Sequence, residues 1–381
     1  MENNKGFFRI NDWWKSKAAL LMGIVYLFTA WYTISFQHFI SLALLSITTI
    51  SGFASMGYLI NDFFDRKKDF AAGKQNFLLN KSALIISFLF LLSSIFLFLP
   101  WFKLPFNQFS ITLIFVEIFF LLVYSLPPIR LKEKGLSGVF ADALYAHSIP
   151  VILAGYTFSL AANHTFEAVP VMFLFLWQIA MGIRNILLHQ HNDTSLDSKV
   201  GNKTWVIQST EATFHRQIKT VLIAEISLSL IFFLLLSYQV SIFLSVVLAI
   251  VFFTLMATIR FKENGIKQML LSQSRYFPNA LYEKWMPAII LFSLGFSNPY
   301  FWLILFLHTA LFNFEAYLEI FALLNIYGIR LYWQGKRIPL RAVLSLFINH
   351  FIYYIFRLFG VNLKKENLSA LEYINRKQKD K

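Results

Sequence analysis

Cysteine is absent from the 381 residues, which excludes disulfides and thiolate metal sites together. Charge is also scarce, at 14% of positions against 57% hydrophobic. Polar linkers long enough to separate domains are missing. So is a short apolar segment with a small-residue cleavage site near the start. These absences exclude a soluble globular class, although length alone would suggest two or three soluble domains. What fills the space is apolar, with Phe alone at 44 positions, and the composition fits an integral membrane protein built as one helical bundle. Acidic residues are the minority charge, 20 against 34 Lys and Arg, for a net +14. In a membrane chain such an excess gathers on cytoplasmic loops beside anionic headgroups, so no nucleic-acid partner is expected.

Residues 1–17 are basic and aromatic (Lys5, Arg9, Trp13, Trp14, Lys15, Lys17) and read as an interfacial lead-in that is retained rather than cleaved. Apolar runs of spanning length follow at about 18–36, 39–60, 82–100, 109–126, 139–160, 168–188, 217–237 and 240–259. Basic residues alternate between the connections. Arg66, Lys67, Lys68, Lys74 and Lys81 crowd the second; Arg130, Lys132 and Lys134 the fourth; Lys199, Lys203, Arg216 and Lys219 the sixth. The intervening turns carry one such residue or none. The positive-inside rule then puts the N-terminus and these three loops on the cytoplasmic side. The first four and second four runs match as parallel halves around a central cavity.

Two polar stretches repeat across those halves. Asp65-x3-Asp69-x3-Gly73 returns as Asp193-x3-Asp197-x3-Gly201, each after the second apolar run of its half. Residues four apart share a helix face, so Asn61, Asp65 and Asp69 line one side of an extended membrane helix. Asn185, His189, Asp193 and Asp197 line another, and Gly73 and Gly201 are suited to end them. Carboxylate pairs facing each other need a cation between them. Hard divalent ions such as Mg²⁺ take carboxylate and phosphate oxygens, which points to a metal-bridged diphosphate site near one membrane face. The plainer alternative is that each stretch is a solvated loop.

Between the fourth and fifth runs, Pro127 and Pro128 end a helix and present Arg130, Lys132 and Lys134. Guanidinium and ammonium groups there suit phosphate oxygens, unless they serve topology alone. Lys74 and Lys203 follow the acidic copies and offer more positive charge. Arg184 and Asn185 lie inside the sixth run, where a buried Arg is costly and normally paired. Arg184 is expected on the diphosphate or on an Asp of an acidic copy. His189 and His191 read as hydrogen-bond partners rather than zinc ligands. Asp142 and His147 are candidates for an acceptor pocket, with structural pairing to a basic loop residue as the plainer account of Asp142.

Past Arg260 the pattern weakens. The stretch 285–325, interrupted by Pro287, Gly295 and Asn298-Pro299, suggests two short helices or a broken hairpin. Glu315 and Glu319 should face protein or water there. Residues 337–360 mix Arg337, Arg341 and Arg357 with apolar side chains, as a surface amphipathic helix would. The expected fold is therefore all-α: a polytopic bundle of eight core transmembrane helices, plus that C-terminal hairpin and amphipathic helix. Its domains would be the lead-in 1–17, the membrane bundle 18–300, and a terminal segment with a charged tail, 301–381.

Three of these motifs, in order, resemble the UbiA superfamily of intramembrane prenyltransferases over roughly residues 15–300. Asn61, Asp65 and Asp69 are similar to its first Asp-rich motif, Asp193 and Asp197 to its second. Tyr124, Ser125, Arg130 and Lys132 are similar to its tyrosine/basic motif. The second motif is usually more acidic than His189 to Asn192 make it here. The resemblance implies Mg²⁺ held by Asn61, Asp65, Asp69, Asp193 and Asp197, with Arg130 and Lys132 on phosphate. Tyr124 of the third motif, with Asn185, Lys74 and Lys203 by their positions, is expected to help hold the donor. The resemblance further implies a prenyl diphosphate donor and a small lipophilic or aromatic acceptor in the membrane. Two alternatives keep their place: phosphoribosyl transfer to a polyprenyl phosphate, and a non-catalytic transporter or lipid-binding protein. Acceptor, prenyl length, pathway and oligomeric state are open.

Overall fold

The computed structural model describes residues 10–71, 73, 76–199, 204–260, 276–312, 330–333 and 336–339. The chain divides into two units, Met1–Phe312 and Asn313–Lys381. The described part of the second is an antiparallel hairpin, β1 Arg330–Trp333 and β2 Lys336–Pro339, pairing Leu331 with Ile338 and Tyr332 with Arg337. Aromatic and branched side chains favour such a ribbon. Residues 337–339, expected to open the amphipathic helix, belong to β2; residues 340–360, with Glu315 and Glu319, lie outside the described residues.

The first unit is a bundle of α1 Ala19–Trp31, α2 Phe36–Ala71, α3 Ala83–Phe98, α4 Gln108–Ser125, α5 Leu136–Ala161 and α6 Ala168–Lys199, then α7 Glu211–Gln239, α8 Ile242–Arg260, α9 Met286–Ser297 and α10 Tyr300–Phe312. Among the described residues, six helices are long and apolar enough to cross a membrane. The protein is an integral membrane protein. Helix starts follow local chemistry. Asn107 caps α4, its side chain accepting from Phe109 N and Ser110 N, and Thr210 caps α7. The length of α2 matters most for the site: 36 residues rise about 54 Å against a hydrocarbon core of about 30 Å. Its last turns, carrying Asn61, Asp65 and Asp69, therefore outrun the apolar layer. The 32 residues of α6 do the same for Asp193 and Asp197.

Three π-helical turns recur, at Trp14–Ala18, Leu144–Ser148 and Leu281–Trp285, each leading into an apolar helix of 12 or 13 residues. Two of them precede a proline, Pro150 and Pro287, which has no N–H to offer the ladder; a widened turn accommodates that loss. The two halves read from the sequence thus have a third echo, which begins with α9. The helix α1 is buried along nearly its whole length, between α5 and α9. Gly155 lets the Phe28 ring approach α5, and Gly23 lets Pro287 of α9 approach α1. The hairpin α9–α10 closes this side, with Tyr26 Oη 3.2 Å from His308 Nδ1 and Trp14 Nε1 donating to Leu311 O at 2.9 Å. The bundle unit accordingly runs to Phe312, past the boundary expected at 300.

Candidate active site

A cavity of about 840 Å³ lies inside the bundle, and both acidic copies reach it. Asn61, Asp65 and Asp69 come from the end of α2; Asn185, His189, Asp193 and Asp197 come from the end of α6. The four-residue spacing of each set turns its oxygens to one side of its helix. Toward the bundle interior the walls become apolar, with Leu20, Ile50, Phe53, Leu121 and Leu153.

The first acidic copy is bound up with the cationic loop. Arg130 Nη2 donates to Asp65 Oδ1 at 2.8 Å, and Lys132 Nζ donates to Asp65 Oδ2 at 2.5 Å and to Asn61 Oδ1 at 2.7 Å. The loop returns sharply to reach them: Arg130 takes a left-handed conformation, φ 39°, before a short 3-10 turn at Leu131–Glu133. Gly138 in α5 lies so close to the Leu131 carbonyl and Lys132 backbone that a Cβ there would collide with them. Glu133, which the motif reading passed over, accepts from Arg130 at 2.7 Å and from Lys68 at 2.5 Å. These contacts set the ionisation of the loop. Burial lowers the Lys132 ammonium pKa, offset only in part by Asp65. For Arg130 burial works the same way, but the hydrogen bonds to Glu133 and Asp65 outweigh it and raise the value. Burial would raise Glu133, but bonds from Lys68 and Arg130 take it below the ordinary carboxylate value.

Asp69 accepts from Asn76 Nδ2 at 2.8 Å; the same amide reaches Asp62 O, and Asp62 Oδ2 accepts from Phe77 N. Asp62 therefore ties the turn after α2 back onto the helix. In the second copy His189 Nε2 lies 3.8 Å from Asp193 Oδ2. His191 turns elsewhere, stacked on Phe214 at 4.4 Å between ring centroids. Tyr124 lines the cavity with its ring 5.2 Å from Tyr145, whose hydroxyl donates to Asp142 Oδ1 at 3.2 Å. Asp142 is thus paired with a tyrosine rather than a basic loop residue. Lys74 and Lys203 lie outside the described residues.

Arg184 pairs elsewhere than expected from the sequence. Among the described residues it contacts neither acidic copy, and it does not line the cavity. Its Nε donates to Glu225 Oε2 at 2.5 Å, and Nη2 donates to Glu225 Oε1 at 3.0 Å and Asn279 Oδ1 at 2.6 Å. A guanidinium buried in a span takes the carboxylate that can meet it bidentately, and α7 supplies one in the packed interface. Asn185, the next residue, does face the cavity, and accepts from Asn279 Nδ2 at 3.1 Å. The intramembrane acids Glu117 and Glu225 were also passed over. A lone carboxyl inside an apolar run was the available signal for both. Lys17, read as interfacial, lines the cavity, its Nζ 5.7 Å from the Tyr58 ring centroid.

Among the described residues no three acids or histidines gather into a compact metal cluster. The donor set nonetheless fits a hard divalent ion: amide and carboxylate oxygens, from two helices, on one cavity. The Lys132 ammonium itself bridges the Asn61 and Asp65 oxygens, so this notch already favours positive charge.

A family model described as the UbiA prenyltransferase family matches residues 19–270. Among curated proteins no sequence matches the chain. Two solved structures are similar. One is a UbiA homolog from Archaeoglobus fulgidus bound to DMAPP and Mg²⁺, with TM-score 0.50, 16% identity, and coverage of 74% of this chain and 96% of that one. The other is a digeranylgeranylglyceryl phosphate synthase studied in membranes, with TM-score 0.51, 14% identity, and the same coverages of 74% and 96%. Identities this low speak for the fold alone.

Proposed function

The chain belongs to the UbiA prenyltransferase family, and from that premise we propose that it transfers a prenyl group from a prenyl diphosphate to a lipophilic or aromatic acceptor inside the membrane. One observation carries the reading: two acidic helix ends and a cationic loop meet on one cavity whose interior is apolar. Mg²⁺ would be held by Asp65, Asp69, Asp193 and Asp197 with Asn61 beside them. When bound, it supplies charge neutralisation for a departing diphosphate. Arg130 and Lys132 stabilise the negative charge that grows on the leaving oxygens, Arg130 through its planar fork and Lys132 as a point charge. Asp65 and Glu133 hold those two cations in place beforehand. The apolar walls exclude water that would otherwise capture the allylic cation, and the faces of Tyr58 and Tyr124 favour positive charge beside them. The similar archaeal homolog, bound to DMAPP and Mg²⁺, supports this donor and ion. The positive-inside pattern supports a cytoplasmic site.

The test is Mg²⁺-dependent transfer from a labelled prenyl diphosphate by purified protein. Asp65→Asn and Asp193→Asn are each expected to lower it by about a hundredfold or more. Full activity in both variants would refute the reading. Product mass with a phosphoribosyl diphosphate donor separates prenyl from phosphoribosyl transfer, and calorimetry showing no diphosphate binding would favour a non-catalytic protein.

A further inference from the structure

The apolar part of the cavity contains a carboxyl group that prenyl chemistry alone does not use. Glu117 lies midway along α4, 2% exposed, and its Oε2 has no hydrogen-bond partner among the described residues. It faces the cavity. Trp101, from the 3-10 turn that follows α3, lines the same cavity with its Nε1 also buried and unpartnered.

The depth of Glu117 follows from the packing of α2 beside α4. These helices run in register: Ser125 Oγ donates to Asn61 Oδ1 at 3.3 Å, and Leu121 packs against Gly57 one turn deeper. A further turn brings Glu117 level with Phe53. At 1.5 Å per residue it lies about 12 Å along the axis from Ser125, and so from the acidic end. Apolar Leu121 lies between, with the rings of Tyr58 and Tyr124 nearer the acidic end.

A hydrocarbon chain has nothing to offer Glu117 or Trp101; packed against them, it would leave one acceptor and one donor unsatisfied. A ligand matched to this region carries a hydrogen-bonding group of its own. The donor's diphosphate is tied to the acidic end, so the atom to be alkylated must lie there too. We propose that Glu117 and Trp101 form an acceptor subsite, in which Glu117 Oε2 accepts a hydrogen bond from a hydroxyl or amine of the acceptor about a nanometre from the prenylated atom. Trp101 Nε1 donates to an oxygen of the same group. The acceptor is thus an elongated amphipathic molecule, polar at its buried end. This proposal rests on the prenyl-transfer reading above and narrows its acceptor class.

The experiment uses the full chain in detergent and two rigid probes: a biphenyl with hydroxyls at both ends, and the analogue with one. Calorimetry is expected to show the dihydroxy probe binding wild type about tenfold more tightly, the worth of one hydrogen bond to a carboxyl group. Glu117→Leu should bring the two probes to equal affinity, while Glu117→Gln, which keeps an acceptor oxygen, retains part of the difference. Thermal unfolding midpoints of both variants should equal or exceed wild type, since an unpartnered buried carboxyl is removed. Glu117→Met serves the comparison if the leucine variant does not fold. Equal binding of the probes to wild type, or an undiminished preference in Glu117→Leu, overturns the proposal. Dimethylallyl diphosphate with Mg²⁺ is titrated into the same wild-type sample. Binding there, with no preference between probes, fails this inference alone; no binding fails the prenyl-transfer reading and this inference with it.

Discussion

Replacing Arg184 by Leu tests whether the helix interface behind the cavity depends on a buried ion pair. The Arg184 side chain is 2% exposed and that of Glu225 fully buried, and two hydrogen bonds join them. In Arg184→Leu the Glu225 carboxylate loses both, at a cost of about 3–5 kcal/mol. Asn279 Oδ1 loses its 2.6 Å partner as well, adding about 1 kcal/mol. Glu225→Leu strands the guanidinium and should cost a similar amount. The double variant leaves no uncompensated charge, and well-packed leucines should bring stability back to within about 1 kcal/mol of wild type. Reversible unfolding in detergent of all four proteins gives the coupling energy directly. Single variants that lose under about 1 kcal/mol, or a double variant as unstable as the sum of the singles, would refute the argument. Donor binding supplies a second readout. The double variant should bind a prenyl diphosphate with Mg²⁺ as wild type does, because Arg184 lies off the cavity; a large loss of affinity would restore it to the diphosphate.

Two further predictions concern the loop and the packing around the cavity. Burial lowers Lys132 from its ordinary 10.5, so between the lowered value and 10.5 the folded state binds fewer protons than the unfolded one. Stability therefore rises with pH in that window, while the positive charge available to a phosphate is lost there. Diphosphate affinity should fall on the alkaline side earlier than an ordinary lysine would allow. Lys132→Arg should move that fall upward, and an unchanged alkaline limb would count against the role given to Lys132. Gly52→Ala should destabilise the protein by about 1–3 kcal/mol, read from its unfolding midpoint, because its Cβ would press on the α3 backbone at Phe96 and Leu97, which has no rotamer to yield. A neutral result would refute the close contact of α2 with the α3 backbone at Gly52.

The all-helical membrane class, the two acidic helix faces and the basic loop were all legible along the chain, because each rests on local rules. Apolar run length measures the bilayer, and a four-residue period turns Asp65 and Asp69, or Asp193 and Asp197, to one side of any helix. Partner choice was not legible, because it depends on which distant side chain a fold brings within 3 Å. Arg184 illustrates this. Its need for an anion followed from its place in an apolar run, but the choice of Glu225 over an aspartate of the second motif required the packing of α6 on α7. Lys132 gives the same lesson at the membrane face, where a left-handed residue at Arg130 returns the loop to Asp65 and Asn61. Glu117 gives it at depth: one carboxyl in an apolar stretch looks alike whether it meets lipid, protein or a cavity. Only the lateral arrangement of α2, α3 and α4, set by side chains far apart in the chain, turns it inward.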